Sequence, residues 1–155
     1  MVWYTKKKKE KKMPLFEKAG VKIRKKPNLV DKLDRVFSQF IRLRDTMPNG
    51  YFRCISCGKV KPFAKADCGH FFSRSHMSTR YDEDNSHAEC SYCNRRKSDH
   101  LIGYQVNLII KIGQKRYDQL CWKHSQTKHY ADYELEDLIK KYREKVKSLK
   151  QEKGL

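Results

Sequence analysis

The chain has 155 residues, with 36 Lys+Arg against 18 Asp+Glu, a formal net charge of +18. That excess excludes an acidic solvating tail protein and argues against a small-metabolite enzyme. It favours a polyanionic partner, nucleic acid before an anionic membrane surface. Only 38% of the chain is hydrophobic, so the core must be modest and a metal staple would help it.

The charge is uneven. Residues 1–26 hold eleven Lys/Arg (Lys6 to Lys9, Lys11, Lys12, Lys18, Lys22, Arg24, Lys25, Lys26) against Glu10 and Glu17, which is half of the total. Residues 1–27 therefore read as a disordered basic arm, and a mobile arm still neutralises phosphates. No apolar run follows the charges as in a secretory signal, and no run of 18 apolar residues exists. The expectation is a cytoplasmic protein with no membrane partner.

After Pro27-Asn28, Leu29, Leu33, Val36, Phe37, Phe40 and Ile41 recur at helical steps and predict an amphipathic helix over 29–45, ended by Met47-Pro48-Asn49-Gly50. Residues 51–60 should be a short hairpin carrying Cys54-Ile55-Ser56-Cys57, with Gly58 at its tight turn. A strand is expected over 64–72, a loop over 73–84, and a second strand over 85–89. Cys90-Ser91-Tyr92-Cys93 follows, opening a short helix over 91–98. Three more helices are expected over 101–112, 114–123 and 133–150. The domain reading is an arm (1–27), an N-terminal helix (28–50), a central core (51–100) and a helical region (101–155). The apolar stripes of 29–45 and 133–150 are equally suited to packing within one chain or to forming a homodimer.

Four of the six cysteines stand in two Cys-x-x-Cys pairs with 32 residues between them. A two-residue spacer lets both thiolates of a knuckle turn onto one ion, so Cys54, Cys57, Cys90 and Cys93 read as a structural zinc site. A redox pair is the alternative for a single Cys-x-x-Cys. Cys68 and Cys121 read as small buried hydrophobes. Between the knuckles, Asp67-Cys68-Gly69-His70 lies on the first strand, Asn85 and His87 on the second, and Asn94 directly after Cys93. On a regular strand Asp67 and Gly69 share one face and His70 points the other way, so a bulge or turn is needed to converge them.

This order (Cys-x-x-Cys, Gly-His on a strand, Asn five residues before a second Cys-x-x-Cys, Asn directly after it) resembles the His-Me finger (HNH) endonucleases. It is similar to the zinc-knuckled phage enzymes that resolve branched DNA. The run from Cys90 through Asn94, Arg95, Arg96, Lys97 and Ser98, with Tyr104-Gln-Val-Asn-Leu-Ile and Ile112-Gly113 downstream, more narrowly resembles the phage NinG/Rap recombination endonucleases over roughly 28–150. The resemblance implies an α+β fold, a zinc-stapled ββα core with flanking helices. It implies a metal-dependent DNA endonuclease acting on branched recombination intermediates such as Holliday junctions and D-loops, in the host cytoplasm and associated with the nucleoid.

Carried over to this chain, His70 is the general base, Asn85 orients His70 or its backbone, and Asn94 ligates a catalytic Mg²⁺ or Mn²⁺. Gly69 departs from the family, which usually has Asp or His directly before the catalytic histidine. Asp67 is the candidate second ligand, and His87 is an auxiliary ligand or phosphate contact. Arg74, Arg80, Arg95, Arg96 and Lys97 are candidate DNA contacts. Arg95 and Arg96 are placed in the first turn of the helix after the second knuckle. His76, His100, His124 and His129 read as surface residues. A non-catalytic zinc-ribbon DNA-binding protein remains the alternative, and an RNA substrate is left open.

Overall fold

A computed structural model describes residues 28–154, so the basic arm lies outside the described residues. Asn28 caps the first helix, α1 (Leu29–Arg44), its Oδ1 accepting from the Val30 and Asp31 amides at 3.1 and 3.4 Å. The apolar stripe of α1 meets that of the last helix, α6 (Asp132–Lys153), within the same chain. Leu33, Phe37, Phe40 and Ile41 pack there with Leu135, Ile139, Tyr142 and Val146. The stripes considered for a homodimer are thus packed on each other. Phe37 anchors this core, edge-on to Tyr142 at 4.9 Å and to Tyr81 at 5.7 Å. Each fully buried side chain of this kind contributes about 1.5–3 kcal/mol.

Two small antiparallel sheets lie between these helices in sequence, which makes the fold α+β. β1 (Tyr51–Arg53) pairs with β2 (Val60–Pro62) around the first knuckle. β3 (Ala66–His70) pairs with β4 (Ser86–Cys90) in unbroken register, Gly69 opposite His87 and His70 opposite Ser86. A 3-10 turn at Phe63–Lys65 takes the start of the expected 64–72 strand, and that strand ends at His70. A four-residue helix, α2 (Met77–Arg80), sits within the expected loop 73–84. No hydrophobic period announces α2; it forms because Asn85 Nδ2 donates to the Thr79 carbonyl at 3.0 Å.

β4 runs directly into α3 (Ser91–Arg96). This helix is shorter than expected, and it places Arg95 and Arg96 in its last turn rather than its first. The free amides of its start therefore do not sit beside those two side chains. Helices α4 (His100–Ile112) and α5 (Gln114–His124) follow, separated by Gly113 at φ +81°. Gly113 has the left-handed conformation that glycine adopts without strain.

α4 lies against the first knuckle at very short range. A Cβ on Gly103 would overlap the Ser56 carbonyl oxygen. Tyr104, fully buried, donates its hydroxyl to the carbonyls of Gly69 (3.0 Å) and Asn85 (3.2 Å), tying α4 to both strands. Replacing Gly103 with Ala improves helix propensity by about 1 kcal/mol but forces backbone against backbone. Gly103→Ala is expected to lose more than about 1 kcal/mol net, read by urea denaturation of the zinc-loaded protein.

Candidate metal centre and histidine cleft

The metal centre is built by two chain reversals. In the first knuckle the Gly58 amide donates to the Cys54 carbonyl at 2.9 Å, and Gly58 adopts φ +69° to close the turn. The second knuckle uses the end of β4 and the start of α3, so Cys90 and Cys93 sit one helical turn apart. The Cys90 amide donates to Cys54 Sγ at 3.3 Å and joins the two halves. All four Sγ atoms lie within 4.8 Å of one another, and three of the four residues are buried. Burial pushes the Cys54 thiol up to about 11 and raises Cys93 as well. Four crowded thiols are the donor set that a tetrahedral zinc ion fits, and such a site could hold one.

The second feature is an open cleft of about 810 Å³ along the outer edge of β3. One wall is α1, through Ser38 and Arg42. The other is formed by Asn94 and Arg95 of α3 and His100 and Leu101 of α4. Asp67 and His70 line the floor, and Arg74 stands at the end of the strand. Asp67 and His70 face opposite sides of a regular strand. Both reach the cleft because it opens on the strand's free edge, so the expected bulge is absent.

His70 is largely buried beside Phe37, with ring centroids 6.2 Å apart. Its Nε2 lies 3.2 Å from the Arg80 carbonyl oxygen. A carbonyl only accepts, so in the neutral ring Nε2 carries the proton and Nδ1 the lone pair. Burial lowers the His70 pKa to about 4, keeping the ring neutral well below neutral pH.

Asn85, wholly buried, does not bond the His70 ring. Its Oδ1 accepts from the Phe72 amide at 2.7 Å. Its Nδ2 donates to the Phe72 and Thr79 carbonyls at 3.0 Å each. It thereby fixes the backbone following His70 and the short helix whose Arg80 carbonyl meets the ring.

Asp67 accepts two bonds from Arg95, at 2.8 and 2.9 Å, and a third from Asn94 Nδ2 at 3.2 Å. Arg95 itself is two-thirds exposed. Arg74 is also largely exposed, 4.0 Å from Asp34.

The other sequence candidates lie elsewhere. Arg80 is held by Asp34 through bonds of 3.0 and 2.5 Å and serves to pin α2 on α1. Arg96 is exposed outside the cleft, and Lys97 lies in a groove beside Cys57, Cys90 and Cys93, 3.4 Å from Asp99. His87 is 2% exposed and absent from the cleft, because every residue of β4 is buried. Its Nδ1 lies 2.8 Å from Arg44 Nη2, 3.1 Å from Lys111 Nζ and 3.4 Å from Asp45 Oδ2. Burial opposes ionisation of Asp45, yet bonds from His87 and Arg44 hold its carboxyl well below the usual range.

Two cleft residues escaped the sequence reading, Arg42 and His100. His100 Nδ1 lies 2.7 Å from Glu89 Oε1, a pairing that no sequence spacing signals because it depends on how α4 docks. Of the other histidines read as surface residues, His124 stacks on Phe72 at 3.8 Å and meets His76 at 4.1 Å. Among the described residues no helix is long and apolar enough to cross a membrane.

A family model described as "Bacteriophage Lambda NinG protein" matches residues 4–152. The chain belongs to the NinG family. It is 33% identical over 123 residues to the protein ninG of Escherichia phage 933W, covering 78% of this chain and 58% of that one. The phage lambda protein ninG is 32% identical over 123 residues, covering 78% and 57%. The phage H19B protein is 35% identical over 113 residues, covering 68% and 53%. The chain thus aligns with somewhat over half the length of these NinG relatives. No solved structure matches it.

In this NinG-family chain the metal centre makes a direct prediction. The purified protein should carry one zinc per chain by atomic absorption. Cys90→Ser should release it with loss of helix signal in circular dichroism, because β4 and α3 are joined at that ligand. Full zinc retention in Cys90→Ser would contradict the four-thiolate site.

Proposed function

We propose that this NinG-family protein is a metal-dependent DNA endonuclease of the His-Me finger type, acting on branched recombination intermediates. The observation that carries the reading is the cleft itself. It gathers a histidine with a defined lone pair, an adjacent carboxylate and carboxamide, and arginines at its rim. In this reading β3, β4 and α3 are the ββα unit, with the thiolate cluster clamping its base.

His70 takes the proton from the attacking water at Nδ1, its ring held by the Arg80 carbonyl at Nε2. Asp67 and Asn94 would hold a Mg²⁺ or Mn²⁺ ion, since hard oxygen donors suit both. When bound, that ion supplies charge stabilisation at the scissile phosphate and the leaving oxygen. Arg95 covers Asp67 only as an exposed ion pair. Such pairs are weakened by solvent screening, so the guanidinium can pass from Asp67 to an incoming phosphate. Arg42 and Arg74 flank the same path, and Asn85 acts as a positioning residue for the loop that carries the Arg80 carbonyl. The basic residues 1–26 add sequence-independent attraction to the nucleic acid.

The experiment is a cleavage panel of linear, forked and four-way DNA, with RNA counterparts, using zinc-loaded protein and added Mg²⁺ or Mn²⁺. Wild type should cut branched DNA. His70→Ala should lose about 10²–10⁴-fold in rate while keeping its zinc. Because burial holds His70 neutral, its protonation should not limit cleavage until pH falls toward about 4. The same depressed value means His70 favours the folded state above pH 6.5, and that contribution is lost as pH falls from there toward 4. A wild-type protein that binds four-way DNA and cuts nothing would leave the zinc-ribbon binding protein as the reading.

A further inference from the structure

A buried carboxylate stands behind one cleft residue, His100. Glu89 on β4 is 0% exposed, the most completely buried carboxylate among the described residues. Its Oε1 accepts from Ser56 Oγ at 2.5 Å, inside the first knuckle, and meets His100 Nδ1 at 2.7 Å. Its Oε2 has no hydrogen-bond partner among the described residues and lies over Gly69, where a Cβ would overlap it. The position directly before His70 therefore offers no side-chain donor of its own. The space a side chain would need there is taken by a carboxylate that grips His100.

We propose that His100 is a third ligand for the divalent ion of the cleft, beside Asp67 and Asn94, presented through Nε2 by the buried Glu89. The inference rests on the metal-dependent reading above. Three observations support it. His100 lines the same cleft as Asp67 and Asn94, with its side chain 20% exposed, so one edge of the ring faces the open space. A carboxylate only accepts, so the neutral ring keeps its proton on Nδ1 and its lone pair on Nε2. This is the arrangement in which metal-binding histidines are held by a carboxylate. A buried carboxylate with one oxygen unpaired is also costly unless positive charge lies near. An ion on the far side of the His100 ring supplies that charge along the ring. The backbone holds the pair in place, since α4 starts at His100 and is seated on the Ser56 carbonyl through Gly103. Mn²⁺ accepts the oxygen donors of Asp67 and Asn94 and is paramagnetic, so it is the probe for a nitrogen ligand beside them.

The test uses full-length, zinc-loaded protein with all histidines ¹⁵N-labelled, titrated with Mn²⁺ in the absence of nucleic acid. Electron spin-echo spectra of the wild type should show histidine nitrogen coupled to Mn²⁺, and His70→Ala should show the same coupling. His100→Gln, whose amide can still donate to Glu89, should lose the coupling and bind Mn²⁺ at least about tenfold more weakly. Glu89→Gln should weaken Mn²⁺ binding by about 10–100-fold with zinc content unchanged. Absence of nitrogen coupling in wild type, or its persistence in His100→Gln, overturns the proposal. If His100→Gln loses its zinc, wild type and His70→Ala still decide, because coupling missing from either one overturns it. These readouts contain no cleavage step. An inactive protein with the coupling would sink the endonuclease reading alone, and an active one without it would sink the His100 assignment alone.

Discussion

The middle of this protein is made of pieces too short to stand alone, and the four thiols are what make them one object. β1 and β2 have three residues each and α3 has six. Hairpins and helices of that size are marginal in water. The apolar cluster around the cysteines is also small, with Phe52, Ala66 and Ala88 as its non-cysteine members. An ion joining Cys54 and Cys57 to Cys90 and Cys93 would fix the hairpin to the end of β4 and to the first turn of α3 in a single step. A metal held by these thiolates would contribute folding free energy directly, which would let so polar a chain keep its arrangement with a modest core.

The consequences reach the cleft through named bonds. Ser56 lies between two of the cysteines and donates to Glu89. Glu89 holds His100, and the close seat of Gly103 on the Ser56 carbonyl sets the height of α4. Asn94 follows Cys93 directly, so its place beside Asp67 is set by a residue of the cysteine cluster. On the opposite wall the fixing is done without a metal, by Asn85 clasping Phe72 and Thr79 and by Arg80 gripping Asp34. The cleft is therefore held from two independent sides, and β3 runs between them.

The parts of the fold that could be read in advance are those with a period or a spacing. The stripes of α1 and α6, the two Cys-x-x-Cys pairs and the break at Gly113 are local patterns, and the helices start and end close to where those patterns do. The elements that escaped depend on partners far away in sequence. α2 exists because of a bond from Asn85, and the first strand ends early because Asn85 captures the backbone after His70. Among the site residues, Asp67, His70, Asn94, Arg74 and Arg95 come together from nearby segments. His87 and Arg80 do not, because each is engaged by a residue of α1 or the turn after it, Asp45 and Asp34, that no spacing relates to them. His100 looked like a surface residue because Glu89, eleven positions away, meets it only after α4 docks.

The parity of β3 shows why the free edge of a strand suits this kind of site. Side chains alternate across a strand, so residues at odd separations, such as Asp67 and His70, cannot share a face. On a strand covered on both faces that would divide them between two compartments, as on β4, every residue of which is buried. At a free edge the two faces open into the same groove, and alternation becomes useful. The carboxylate lies toward α3, the histidine toward α1, and the groove runs between them. The edge is also a hazard, since an unpaired strand invites pairing with another chain. Here the exposed guanidinium of Arg95 lies across Asp67 and that of Arg74 stands at the strand's end. These exposed charges discourage a second strand from docking, and part of the chain's positive excess serves that end.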